Sequence, residues 1–158
     1  MQNTFSLRKF TISDLESVTK INRECLPENY TDFFFVDLYR RFPETFVVAE
    51  DDGKVVGYII CRIEVGLSNL GFSGLIKKGH VVSVAVMPTY RRKHIGEALA
   101  NKAMENMLAY NAKQCYLEVR VTNNPAVNLY KKLGFQVTRT IRGYYADGED
   151  AYVMTKKL

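Results

Sequence analysis

Residues 86–98 carry the densest group of side chains able to hold a charged ligand. Arg91, Arg92 and Lys93 stand side by side, and Gly96 follows where an apolar strand gives way to an amphipathic helix. The first N–H groups of a helix lack intrahelical partners and its dipole favours negative charge. Gly96 lets a ligand approach the backbone, and the three cations neutralise it. A pyrophosphate suits that combination, although arginines that only solvate a helix start would read the same way. Neither GxxxxGK nor GxGxxG is present, which disfavours nucleoside-triphosphatase and Rossmann chemistry.

Two further residues could move protons. Glu118 lies between Leu117 and Val119 in an apolar run, so its charge must face a polar cleft or be paired, Arg120 or a lysine being candidates. His80 opens another apolar run. The commoner fate of such a histidine is structural, but on neighbouring parallel strands the two could face one cleft and act as a base directly or through water.

The elements that must position these residues follow from periodicity. The pattern predicts strands over 5–10, 46–50 and 55–65, the last two joined by a tight turn at Asp52-Gly53. Helices are expected over 13–25, opened by a Ser13/Glu16 capping box, and over 31–42. The glycines at 66, 71, 74 and 79 suggest a mobile surface loop. A strand over 80–87, a helix over 95–110 and a strand over 116–121 form a βαβ unit with parallel strands. A helix over 124–133, stopped by Gly134, and strands over 135–141 and 151–156 complete a mixed sheet flanked by helices.

The chain has 158 residues, 47% of them hydrophobic, which predicts a single domain over 1–158. No apolar run approaches the roughly 20 residues of a membrane span, so a soluble protein without a membrane partner is expected, and the first ten residues lack a signal-peptide pattern. Three cysteines without metal or disulfide spacing fit a reducing cytoplasm. The net charge of +5 is scattered apart from 91–93, and the absence of an aromatic RNA-binding signature argues against specific nucleic-acid binding.

Residues 91–96 resemble the R/Q-x-x-G-x-G/A signature of the GNAT superfamily of N-acetyltransferases, with His94 in place of the usual glycine. The likeness extends through Leu117-Glu118-Val119-Arg120, Asn123, Ala126, Leu129-Tyr130 and Leu133-Gly134-Phe135. It implies a mostly antiparallel sheet of about seven strands with a central parallel pair, about four helices, and acetyl-CoA as cosubstrate. By the same resemblance Val84, Ala85 and Val86 pair their backbones with the pantetheine arm, and Arg91, Arg92, Lys93, His94, Ile95, Gly96 and Glu97 surround the pyrophosphate. His94 is expected within the helix's first turn, where any residue but proline supplies an N–H. Asn123 and Tyr130 would contact the arm near the thioester, the alternatives being a helix cap and a core aromatic. Catalytic roles then fall to Glu118, His80 and Tyr130, the last donating to the departing thiolate. A metal shared by His80 and Glu118 would be undercoordinated, and none is predicted.

Residues 25–30 and 143–152 are similar to segments of the NatA-type catalytic subunits and RimI-like enzymes, which acetylate protein N-termini. In that group the two loops face each other over the peptide. The resemblance assigns substrate contacts to Glu28, Tyr30, Tyr144 and Tyr145, and protein or peptide N-termini as acceptors, with ribosome or auxiliary-subunit association compatible. An α-amine, with pKa about 7.7 to 8.0 against about 10.4 for lysine, is cheaper to deprotonate by roughly 3.5 kcal/mol. The competing readings are acetylation of internal lysine or a small amine on the same fold, and a noncatalytic acyl-CoA-binding regulator. His80, Glu118 and Tyr130 argue against the regulator.

Overall fold

The structure, a computed structural model, describes residues 4–71 and 74–158. The first three residues of the N-terminal pattern, and residues 72 and 73 of the glycine-punctuated stretch, lie outside the described residues. Those described form β1 (Phe5–Lys9), α1 (Leu15–Cys25), α2 (Asp32–Arg41), β2 (Phe46–Asp51), β3 (Lys54–Leu67), β4 (Leu75–Val86), α3 (Ile95–Met107), β5 (Gln114–Arg120), α4 (Asn124–Lys132), β6 (Gln136–Ile141) and β7 (Ala151–Lys157). The strands make one sheet in the order β1-β2-β3-β4-β5-β7-β6. Pairing is antiparallel for β1 with β2, β2 with β3, β5 with β7 and β6 with β7, and parallel for β4 with β5. This is the mixed, mostly antiparallel sheet of seven strands and four helices that the sequence predicts.

Two compact units share these elements, one comprising residues up to Arg62 with Val82–Ala109, the other Ile63–Val81 with Tyr110–Leu158. In the first, Phe10, Val18, Ile21, Phe35, Leu38, Phe46, Val48, Tyr58 and Ile60 form a continuous buried cluster. The β2–β3 turn is the expected one, with Asp52 at φ 50° and Gly53 at φ 77°, the paired left-handed conformation that suits a two-residue hairpin. Gly57 has a different task. A Cβ there would come within 3.1 Å of the Ala85 carbonyl and 3.3 Å of the Val86 side chain, so a larger residue would require β3 or that end of β4 to give by a few tenths of an ångström.

In the second unit, β4 and β5 pair over three residues, Lys78, Gly79 and His80 standing opposite Gln114, Cys115 and Tyr116. Along β5 the residues Cys115, Leu117 and Val119 are buried, while Tyr116, Glu118 and Arg120 alternate with them on the more open side. Gly134, at φ 97°, turns the chain out of α4, and its N–H donates to the Lys131 carbonyl.

Two sequence expectations need correction. The loop expected over 66–79 is shorter, because β3 reaches Leu67 and β4 begins at Leu75, so Gly66 and Gly79 belong to strands. A glycine adds no side chain to the alternation on which strand assignment depends. The helix start is also displaced. A 3-10 turn over Ile12–Asp14 precedes α1, and the reciprocal cap joins Thr11 and Asp14 instead of Ser13 and Glu16. The Thr11 N–H donates to the Asp14 carboxylate at 2.8 Å, and the Asp14 N–H to the Thr11 carbonyl at 2.8 Å.

The same carboxylate accepts two bonds from the Arg8 guanidinium, at 2.7 and 2.8 Å, while Arg8 Nε reaches Glu50 at 3.1 Å. The Arg8 bonds, helped by Thr11 and opposed by burial, hold the Asp14 carboxyl below the usual carboxylate range. A depressed folded-state pKa contributes stability above the unfolded value, about 3.9, that is lost as pH falls through the folded value. Asp14→Asn should therefore cost about 1–3 kcal/mol at pH 7. Urea unfolding of variant and wild type should converge on the acid side of about pH 4.

Candidate active site

Burial selects the first cluster. The His80 side chain is 9% exposed and that of Glu118 14%, and His80 Nε2 lies 2.7 Å from Glu118 Oε1. The structure thus brings the two residues together, and they pair with each other. Arg120 is not the partner of Glu118. It binds both carboxylate oxygens of Asp147, at 3.1 and 2.9 Å, and Glu149 at 2.8 Å. The Arg120 guanidinium extends to the β6–β7 loop, and the His80 ring stacks on Tyr116, with centroids 4.4 Å apart and planes 7° from parallel. Glu64, which sequence reasoning did not single out, places Oε2 3.6 Å from His80 Nδ1 and accepts from the Tyr116 hydroxyl through Oε1.

Tyr130 is buried at the second turn of α4, edge-on to Phe135 at 5.5 Å. Asn123 is the N-cap of that helix, its side-chain oxygen accepting from the Ala126 N–H at 3.3 Å. The cap that stood as an alternative from the sequence is therefore present.

In the other unit, α3 opens the phosphate-binding candidate. Its first intrahelical bond runs from Ala98 N–H to the His94 carbonyl at 3.0 Å, so the N–H groups of Ile95, Gly96 and Glu97 come before the ladder begins. His94 is not inside the first turn, as expected, but caps it in a left-handed conformation at φ 64°, and Arg92 is left-handed too at φ 63°. Glycine reaches that conformation without strain, which explains why it is usual at this place in the resembling signature. His94 Nδ1 approaches Glu97 Oε2 at 3.3 Å. Arg91 Nε donates to the Val86 carbonyl at 3.1 Å, and the Cys25 thiol to the same carbonyl at 3.7 Å. The Lys93 ammonium lies 5.2 Å from the Tyr90 ring centroid. Three cations and a helix start in one loop fit a diphosphate by donor type.

The proposed acceptor loops are each fixed by a buried or charged anchor. Asn22, wholly buried in α1, donates to the Glu28 carbonyl at 3.0 Å and to the Tyr58 hydroxyl at 3.1 Å, and accepts from the Tyr30 N–H at 3.0 Å. Tyr58 in turn shares a 2.7 Å bond with Ser83, and burial pushes its phenol up to about 12. The Tyr30 ring stacks on Phe34 at 4.5 Å. In the other loop, Tyr144 and Tyr145 meet edge to face at 4.9 Å, and the Arg120 guanidinium lies 4.0 Å from the Tyr145 ring centre. A hydrogen bond from the Glu149 N–H, then Arg120, holds the Asp147 carboxyl below its usual range. Thr122, then Arg120, does the same for Glu149. Asn22, Tyr58 and Ser83 escaped the sequence reading. A polar residue at a helix position whose neighbours Val18 and Ile21 are core was the available signal.

One unit thus carries a cationic loop ahead of a helix start, and the other a buried histidine–carboxylate pair. Residues 15–135 match the Acetyltransferase (GNAT) family, and the chain belongs to that family. It is 53% identical to an N-alpha-acetyltransferase of Sulfurisphaera tokodaii, over 98% of this chain and 93% of that one. It is 36% identical to the N-terminal acetyltransferase A complex catalytic subunit NAA10 of Arabidopsis thaliana, over 96% of this chain and 77% of that one. Among solved structures, Ard1 from Thermoplasma volcanium superposes with a TM-score of 0.84 at 32% identity, covering 98% of each chain.

The Asn22 anchor yields a test of the first acceptor loop. Asn22→Ala leaves the Tyr30 N–H and the Glu28 carbonyl without this partner and should destabilise the protein by about 1–3 kcal/mol. Steady-state kinetics should show a raised KM for the amine acceptor and little change in KM for acetyl-CoA.

Proposed function

We propose that the chain acetylates the N-terminal α-amino group of proteins or peptides, taking the acetyl group from acetyl-CoA by direct attack within a ternary complex. The observation that carries the reading is the buried 2.7 Å contact between His80 and Glu118, a proton acceptor and its partner on adjacent parallel strands. An ammonium must lose a proton before its nitrogen can attack, and this pair supplies the base. The amine lone pair forms the new C–N bond, the C–S bond breaks with its electrons left on sulfur, and the nitrogen then sheds its second proton to solvent to give the neutral amide. The Tyr130 hydroxyl donates to the thiolate and recovers a proton from solvent.

The remaining roles follow the donor types. The backbones of Val84, Ala85 and Val86 hold the pantetheine arm with help from Asn123. Arg91, Arg92, Lys93 and the N–H groups of residues 94–97 take the pyrophosphate. Tyr30, Tyr144 and Tyr145 each offer an apolar face and a hydroxyl to the acceptor peptide, and Glu28 attracts its cationic amine. The family membership and the N-alpha-acetyltransferase relatives support the α-amine as acceptor.

The same proposal treats residues 1–158 as one catalytic domain working in the cytoplasm. Three free cysteines suit a reducing compartment, and no helix among the described residues is long and apolar enough to cross a membrane. The likeness to the catalytic subunit of an acetyltransferase complex supports an auxiliary subunit as partner, and ribosome association belongs to the same proposal.

CoA release with two matched peptides tests the reading. One has a free N-terminus and no lysine, the other a blocked N-terminus and an internal lysine. Acetylation confined to the free N-terminus is expected. Turnover only on lysine would move the assignment to a lysine acetyltransferase, and acetyl-CoA binding without turnover on any amine would make the chain a regulator.

A further inference from the structure

His80 uses only one of its nitrogens in the pair with Glu118. A carboxylate can only accept, so the 2.7 Å bond places a proton on Nε2. Nδ1 is buried with no hydrogen bond, and its nearest acid is Glu64, whose Oε2 is 3.6 Å away. In a neutral ring this nitrogen would turn a lone pair toward a carboxylate oxygen. In an imidazolium it carries a proton, and the same separation becomes an attraction between opposite charges in a site largely removed from water.

Glu64 comes from β3, Lys78 and His80 from β4, and Tyr116 and Glu118 from β5. Tyr116 does two things at once: its ring stacks on the His80 ring, and its hydroxyl donates to Glu64 Oε1, which leaves Oε2 turned to the imidazole. The Lys78 ammonium lies 4.9 Å from the Tyr116 ring centre. It donates to the Leu67 carbonyl and to Asn69, so its hydrogen bonds go away from both carboxylates. Two acids thus flank one imidazole.

We propose that Glu64 is a positioning residue that holds His80 as an imidazolium, so that Glu118 stays ionised and oriented to take the acceptor's proton. The inference rests on the reading that His80 and Glu118 serve proton removal, and it divides the work between them. An N–H bond of the ammonium breaks, its electron pair stays on nitrogen for attack, and an O–H bond forms on Glu118. His80 keeps both of its protons throughout, and Glu118 returns its proton to solvent after acetyl transfer.

Nitrogen-15 spectra of the imidazole rings test this without substrate. The chain has two histidines, His80 and His94, and a His94→Gln sample assigns the signals. At neutral pH both His80 nitrogens should be protonated in the wild type. In Glu64→Gln, a variant of nearly equal size, Nδ1 should lose its proton while Nε2 keeps it. kcat on a free-amine peptide should fall about tenfold, as expected for loss of one nearby charge. KM for acetyl-CoA should stay unchanged, and the deficit should shrink as pH is lowered and the ring regains its proton. Tyr116→Phe keeps the stacked ring but releases Glu64, and should move both readouts the same way by less; it also decides the matter if Glu64→Gln fails to fold. An unprotonated Nδ1 in the wild type overturns the proposal, as do ring signals and a pH profile that neither variant alters. If the wild type fails to acetylate the peptide, the functional reading fails, and the ring signals still decide the role of Glu64.

Discussion

Three residues of parallel pairing between β4 and β5 bring the buried histidine and carboxylate together. That register sets His80 against Tyr116, and the pleat of β5 then carries Glu118 to the same side one step further on. An ionised carboxylate in an inner strand has a large desolvation cost unless it is met by a partner, and the 2.7 Å contact with His80 meets it. The pair is therefore a condition of the fold, whatever proton it handles. β5 can carry an acid there only because β4 delivers an imidazole to it.

Other functional segments follow the same rule, each irregular stretch being tied to a polar group on a regular element. The 28–30 loop is fixed by Asn22 from within α1, and the tyrosine-bearing 143–150 loop by Arg120 at the end of β5. Arg91 turns back to the carbonyl of Val86, the last residue of β4, and so orders the cationic loop ahead of α3. Loops that bind flexible ligands gain little from their own packing, and anchors of this kind lower the entropy lost on binding. Gly57 contributes at another level, by keeping a side chain out of the contact between β3 and the end of β4.

Much of this was legible in the chain. Periodicity located the strands and helices, although β4 begins at Leu75 and not at 80, and the Asp52-Gly53 turn announced its own hairpin. Glu118 could be singled out because a charge in an apolar run demands an explanation, and the family resemblance raised His80 beside it. What stayed hidden depends on long-range partners. Asn22 looks like any polar helix residue until Tyr58 and the 28–30 loop arrive beside it, 36 residues separating the first two. Glu64, near the end of a long strand, acquires meaning only from His80 and Tyr116. The left-handed backbone at His94 was missed for a different reason. An amphipathic pattern does not mark the residue at which a helix starts, and an exposed histidine gives no sign that it occupies a conformation suited to glycine.

The central claim is that the His80–Glu118 pair removes the proton from an α-amine. The most direct measurement is the pH dependence of kcat for a free-amine peptide, comparing the wild type with a His80→Ala, Glu118→Gln double variant. Loss of the pair should lower kcat at neutral pH by roughly 10²–10⁴-fold. The residual rate should climb with pH toward the ionisation of the free α-amine, about 7.7 to 8.0, because solvent must then do the deprotonation. Turnover and a pH profile indistinguishable from the wild type would remove both residues from the mechanism and contradict the account.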